Sequence, residues 1–353
     1  MYGHRTSWRI VGLSAGLALY GCGGDASNSG TESEGSTSLG SGPGGSGSTS
    51  VGTTTGASGT TTVATGATTT TSEPDDGGGD GPVDFDLGII PDAGIVEQTG
   101  CQGIDFLFVI DNSGSMTAQQ AQLLNSFPGF ISAIQTSLDN VDSYHVGVVT
   151  SDNYVGNALG CRTIGDLVTE TAGFGAAGEV CTPFASGLRF ATEEDDLQMV
   201  FPCMAQVGTT GSPIEQPVTA TVAALDPAKA QPGGCNEGFL REDAILVVVL
   251  VTDDPPFDFD MDDAHPGTDT SGWYDAVIAA KGGDVESIVM IGFVPTPENF
   301  SCTVGSSPNL VGFIEEFGEQ GVLASVCDPD YGPVFSSTIE TIETTCDNFV
   351  PQG

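Results

Sequence analysis

From about residue 100 onward, apolar stretches of two kinds alternate along the chain. Ile104–Ile110 (IDFLFVI), Tyr144–Thr150 (YHVGVVT), Ala244–Thr252 (AILVVVLVT), Glu286–Val294 (ESIVMIGFV) and Gly321–Val326 are short, nearly continuous runs. Runs of this length, rich in Val, Ile and Phe, predict strands buried on both faces, with 244–252 at the centre of the sheet. Between them, apolar residues recur at steps of three and four. Leu123, Leu124, Phe127, Phe130, Ile131, Ile134 and Leu138 make one stripe, and helical patterns also lie around 194–206, 213–226, 271–281 and 308–318. A last one carries Phe335, Ile339, Ile342, Cys346 and Phe349. Pro128, inside the first stripe, predicts a kink or a split. Strands alternating with helices predict an α/β fold: a doubly wound, mostly parallel central sheet flanked by helices on both faces. In such sheets, sites form outside the carboxyl ends of the strands. Residues 153–192 follow neither period and read as a Cys-containing insertion.

The first hundred residues have a different composition. Arg5 and Arg9 precede the apolar run Ile10–Leu19, whose helical length of about 15 Å is half of a bilayer core, so it reads as an export signal and not as an anchor. It ends in Leu19-Tyr20-Gly21-Cys22, which resembles the bacterial lipobox, with Tyr20 departing from its usual small residue. That resemblance implies a signal peptide over 1–22, lipidation of Cys22 and anchoring by acyl chains. Gly23, standing where an Asp would retain the chain at the inner membrane, implies the outer membrane or cell surface. Residues 23–100 read as a low-complexity linker and lead-in. Its Gly/Ser/Thr part, to about residue 82, has no aromatic residue and only Leu39 among Leu, Ile and Met. Nothing there offsets the entropy of ordering, so a disordered coil spanning roughly 45 Å is expected. The globular domain is therefore assigned to 101–353.

The chain carries 47 acidic and 7 basic side chains, a formal charge of −40. A field of that sign repels phosphate backbones and anionic headgroups, which excludes nucleic acid as a partner and leaves the lipid as the sole membrane contact. Nine cysteines suit an oxidising compartment. With Cys22 lipidated, eight remain. Cys101 precedes the first strand and Cys346 ends a helix running back to that edge, so they are expected to pair. Cys302 and Cys327 each follow a strand and are expected to pair at the opposite edge. Cys161, Cys181, Cys203 and Cys235 remain for the insertion, with Cys161–Cys181 as the natural local bridge.

Candidate chemistry stands directly after the first strand, where Asp111-Asn112-Ser113-Gly114-Ser115 brings one carboxylate and two hydroxyls into a loop that opens a helix. Hard divalent cations take oxygen ligands, and serine hydroxyls keep the charge low and the ion electrophilic. The same residues also suit a helix cap. Placed between an apolar strand and an amphipathic helix, Asp111, Ser113 and Ser115 resemble the metal-ion-dependent adhesion motif of von Willebrand factor type A domains. The resemblance covers roughly 101–350. It implies that Asp253, after the central strand, and either Thr209 or Ser212, from the loop before the helix at 213, complete the shell. Ser212-Pro213-Ile214-Glu215 also reads as a capping box. The resemblance further implies a bound divalent cation, Mg²⁺ ahead of Mn²⁺ or Ca²⁺. A protein ligand's acidic side chain would complete the shell, making this a binding protein and not an enzyme.

Two other functions are weighed: a structural envelope scaffold with a vestigial metal site, and a metal-assisted hydrolase built on the acidic loop Asp258, Asp260, Asp262, Asp263 and Asp269. That loop lacks the glycine and terminal Glu of an EF-hand and reads as solvated or cation-attracting. No nucleophile elbow, Walker loop or dinucleotide loop is present. His145 sits in a strand and reads as structural, His265 lies in the acidic loop, and Trp273 and Tyr274 are expected in the core.

Overall fold

The computed structural model describes residues 100–137, 141, 143–254 and 270–351. The export signal, Cys22, the linker, Leu138 and the acidic loop with His265 lie outside the described residues. The elements run β1 (Gly103–Ile110), α1 (Thr117–Ser137), β2 (Ser143–Thr150), β3 (Ala191–Thr192), α2 (Leu197–Ala205), α3 (Pro217–Ala224), β4 (Ala244–Val251), α4 (Ser271–Ala279), β5 (Ile288–Val294), α5 (Pro308–Glu315), β6 (Gly321–Ser325) and α6 (Gly332–Asn348). One sheet has the order β3-β2-β1-β4-β5-β6. All pairs are parallel except β2–β3, a short antiparallel edge absent from the apolar pattern. Among the described residues, no helix is long and apolar enough to cross a membrane.

Alternation along β1 divides its side chains between two cores. Phe106, Phe108 and Ile110 face α1, α2 and α6, whereas Leu107 and Val109 face α3, α4 and α5. Covered on both sides, β1, β4 and β5 are buried at every position, which is why they read as continuous apolar runs. Aromatic rings fill the first core: Phe127 stacks on Phe201 at 3.4 Å, and Phe130 on Phe335 at 4.4 Å. Burying such rings supplies roughly 1.5–3 kcal/mol each. It also holds α1 together, because the helix runs through Pro128 as one element and is not split. Pro128 faces solvent while its neighbour Phe127 is in the core. Trp273 and Tyr274 are partly buried and pack edge-on against Phe313 and Phe317.

A carboxylate inside β1 needs a partner, and Asp105, fully buried, receives Arg241 Nε and backbone N at 2.7 Å each. Burial still outweighs the guanidinium and raises this carboxyl to about 6. His145 Nδ1 lies 2.7 Å from the Phe239 carbonyl and 3.4 Å from Asp105; burial lowers it to about 4, so it is a neutral structural residue.

Four disulfides close the domain. Cys101–Cys346 forms at one edge and Cys302–Cys327 at the opposite one, as expected. The insertion departs from expectation: Cys161 pairs with Cys235 and Cys181 with Cys203, so the local Cys161–Cys181 bridge does not form. The reason is how the insertion folds. Ala176 bridges Val207, and Ala177 N donates to Gln206 O at 2.9 Å. These contacts lay the 173–181 turn along the end of α2 and bring Cys181 to Cys203. The earlier part of the insertion turns instead towards the loop after α3.

Candidate metal centre

Strand order reverses between β1 and β4: from β1 the chain moves to β2 on one side and later returns to β4 on the other. This is the switch point at which doubly wound sheets bind ligands. Ile110 pairs with Val251, and Asp111 N donates to Val251 O at 2.9 Å. That register sets Asp111 and the Thr252–Asp253 pair side by side at the carboxyl rim. Asp111 is held through both oxygens. Oδ1 accepts from Ser113 N at 2.7 Å and from Ser151 Oγ at 3.2 Å, and Oδ2 accepts from Thr252 Oγ1 at 2.7 Å. Ser115 Oγ donates to Asp253 Oδ1 at 2.9 Å and lies 3.1 Å from Ser113 Oγ. Asp111, Ser113 and Asp253 are buried, while Gly114 and Ser115 face solvent, so the cluster opens outward through the loop.

A third carboxylate arrives from the 208–216 loop. Oxygens of Asp111, Asp253 and Glu215 all lie within 4.8 Å of one another, and all three residues are buried. The loop is seated by α1: Gln120 Nε2 donates to Asp111 O at 2.9 Å and to Gly208 O at 2.8 Å, and its Oε1 accepts from Gly208 N at 3.2 Å. Gly211 N donates to Asn112 O at 2.7 Å, and a Cβ at Gly211 would lie 2.5 Å from the Asn112 side chain. Only glycine lets the two loops meet this closely.

Three buried carboxylates at this range oppose one another's ionisation. Burial and then Asp253 raise Asp111 to about 6. Burial and then Asp111 raise Glu215 to about 8. Burial also raises Asp253. The donor set is oxygen only, from three carboxylates and two hydroxyls, which fits a hard divalent cation and not zinc or copper. A cation among them replaces mutual repulsion with attraction.

Of the residues the motif resemblance named, Asp111, Ser113, Ser115 and Asp253 converge. Thr209 and Ser212 are engaged elsewhere. Thr209 N donates to Phe174 O at 2.9 Å, and its hydroxyl lies beside Gly175. Ser212 N donates to Asp152 Oδ2 at 2.6 Å, and its Oγ accepts from Ile214 N at 3.0 Å. The capping-box reading is corrected as well: α3 starts at Pro217 with Gln216 as N-cap, so Ser212 stands in a turn and Glu215 reaches the carboxylates. A sequence signal for Glu215 existed, because it is the only acidic residue between Asp196 and Asp226 in a strongly acidic chain. Thr252 and Ser151, which orient Asp111, are polar residues closing apolar strands. In place of the expected low-charge cluster the structure brings together three carboxylates, and burial with the neighbouring Asp111 pushes Glu215 towards its protonated form.

The fold and this rim cluster define a doubly wound α/β domain with a candidate cation centre at its switch point. No protein-family model and no curated protein matches the sequence. Solved structures similar to it include proximal thread matrix protein 1 from the mussel byssus, at 13% identity over 71% of this chain and 49% of that one, with a TM-score of 0.37. A von Willebrand factor type A protein from Catenulispora acidiphila is 11% identical over 69% of this chain and 43% of its own, with a TM-score of 0.34. Manganese-loaded TRAP protein from Plasmodium vivax is 15% identical over 70% of this chain and 76% of its own, with a TM-score of 0.35. The chain thus spans about half the length of the first two.

Proposed function

We propose that this chain is a von Willebrand factor type A-like binding protein, held at the outer membrane or cell surface by lipid on Cys22, which captures a protein ligand through a divalent cation. The observation that carries the reading is the meeting of Asp111, Glu215 and Asp253, from three distant segments, beside Ser113 and Ser115 at the solvent-facing rim. These five residues would hold the cation, Mg²⁺ ahead of Mn²⁺ or Ca²⁺. When bound, it supplies a coordination position that an acidic side chain of the partner can take. Thr252, Ser151 and Gln120 hold the donors in place, so little is reorganised on binding.

Calorimetric titration of Mg²⁺, Mn²⁺ and Ca²⁺ into wild type and Asp111→Ala tests the centre: binding by wild type alone is expected, and equal or absent binding in both sinks it. Expression of Cys22→Ser tests the anchor. The variant should leave the membrane fraction, and retention there would contradict lipidation.

A further inference from the structure

Beside the candidate centre lies a cleft of ≈ 470 Å³, bounded by Thr117, Gln120 and Leu124 of α1 on one side and by Phe174, Gly175 and Thr209 on the other. Its continuity with the centre is covalent and hydrogen-bonded. Thr117 N donates to Ser115 O at 3.0 Å, and Gln120 bonds the Asp111 carbonyl. Phe174 is 78% exposed at the tip of the insertion's turn. An exposed aromatic on a loose loop would carry little meaning, but this tip is fastened. Phe174 O accepts from Thr209 N at 2.9 Å, Gln206 Nε2 donates to Gly175 O at 2.9 Å, and Cys181–Cys203 closes the base of the turn. A Cβ at Gly208 would lie 2.7 Å from Phe174 O, so the backbones meet closely. A large ring presented rigidly to solvent binds without losing much conformational freedom.

Charge completes the picture of the occupant. Arg162, Arg189, Lys229, Arg241 and Lys281 are the only basic side chains after Arg9. Each donates to a carbonyl or carboxylate of its own domain. An acidic surface whose few cations are already engaged internally selects a partner with basic residues.

We infer, building on the proposed metal-dependent binding, that Phe174 and the α1 cleft form a second contact of the same face. It receives a large apolar side chain of a protein segment that offers its acid to the cation and carries basic flanks. The cleft's α1 wall, Thr117 to Leu124, is about 10 Å long, and an extended peptide advances about 3.3 Å per residue. The apolar residue therefore falls two to four positions from the acid.

The probe is a random dodecapeptide display library, selected on the immobilised full chain in Mg²⁺ and eluted with EDTA. Wild type should enrich an Asp or Glu at that fixed offset from a large apolar residue, with Lys or Arg around them. Phe174→Ser, with its folding checked by circular dichroism, should keep the EDTA-elutable acid requirement, lose the apolar position, and bind a wild-type-selected peptide roughly tenfold to a hundredfold more weakly. Asp111→Ala should yield no EDTA-elutable clones. Clones that carry the acid without the apolar position, or the same consensus on Phe174→Ser, overturn this inference alone. No EDTA-elutable clones on wild type overturn both it and the metal-dependent reading.

Discussion

Substituting Glu215→Gln separates a ligand from a bystander, because it alters metal affinity, its pH dependence and metal-free stability in different directions. Burial and Asp111 hold this carboxyl at about 8 when no cation is bound. A cation needs the charged form, so binding releases a proton. Apparent affinity for Mg²⁺ should then rise with pH by up to one decade per pH unit, about a hundredfold between roughly pH 6 and 8. Stability of the metal-free domain runs the other way. The carboxyl binds protons more tightly folded than unfolded, so its contribution is largest in acid and is lost as pH rises from about 4.5 towards 8. Burial is the larger cause, and the repulsion that adds to it is of order 3.5 kcal/mol per ionised pair at the 4.8 Å upper limit of separation and an effective dielectric constant near 20. The pair is not fully ionised, so the realised gain on removing it is smaller. Glu215→Gln should therefore be more stable than wild type at about pH 8 without metal. It should bind Mg²⁺ at least tenfold more weakly, and keep a pH slope only below about pH 6–7, where Asp111 titrates. Calorimetry across that pH range, with thermal melts in EDTA, reads all three. Wild-type affinity together with a wild-type slope in the variant would refute a role for Glu215 in holding the ion.

Gly211→Ala should push the 208–216 loop off Asn112, lowering Mg²⁺ affinity about tenfold in the same calorimetry while costing only about 1–3 kcal/mol of stability. Arg241→Ala should destabilise the domain by about 3–5 kcal/mol in urea titrations, since it strands the fully buried Asp105 carboxylate, and should leave metal affinity unchanged. Replacing Cys101 and Cys346 by Ser opens a loop of 245 residues and should cost about 5 kcal/mol by chain entropy, measured as a lowered denaturant midpoint.

The sheet and its helices were legible because their signals are local. A strand covered on both faces must be apolar throughout, as in Ala244–Val251, and a helix must carry a stripe. Asp111 was legible because it follows an apolar strand and opens a helix together with Ser113 and Ser115, and Asp253 only through the family resemblance that those residues carry. What tertiary structure alone decided lies in segments without a period. Whether the 208–216 loop offers Thr209, Ser212 or Glu215 depends on Gln120 gripping Gly208 and on Gly211 resting against Asn112, contacts made across 88 and 99 positions of chain. The pairing of Cys181 with Cys203, and not with Cys161, depends likewise on a turn bonded to the end of α2. Periodicity records which face of an element is buried. It carries no information about which of several polar residues in a loop is turned inward, because backbone contacts from elsewhere in the fold set that choice.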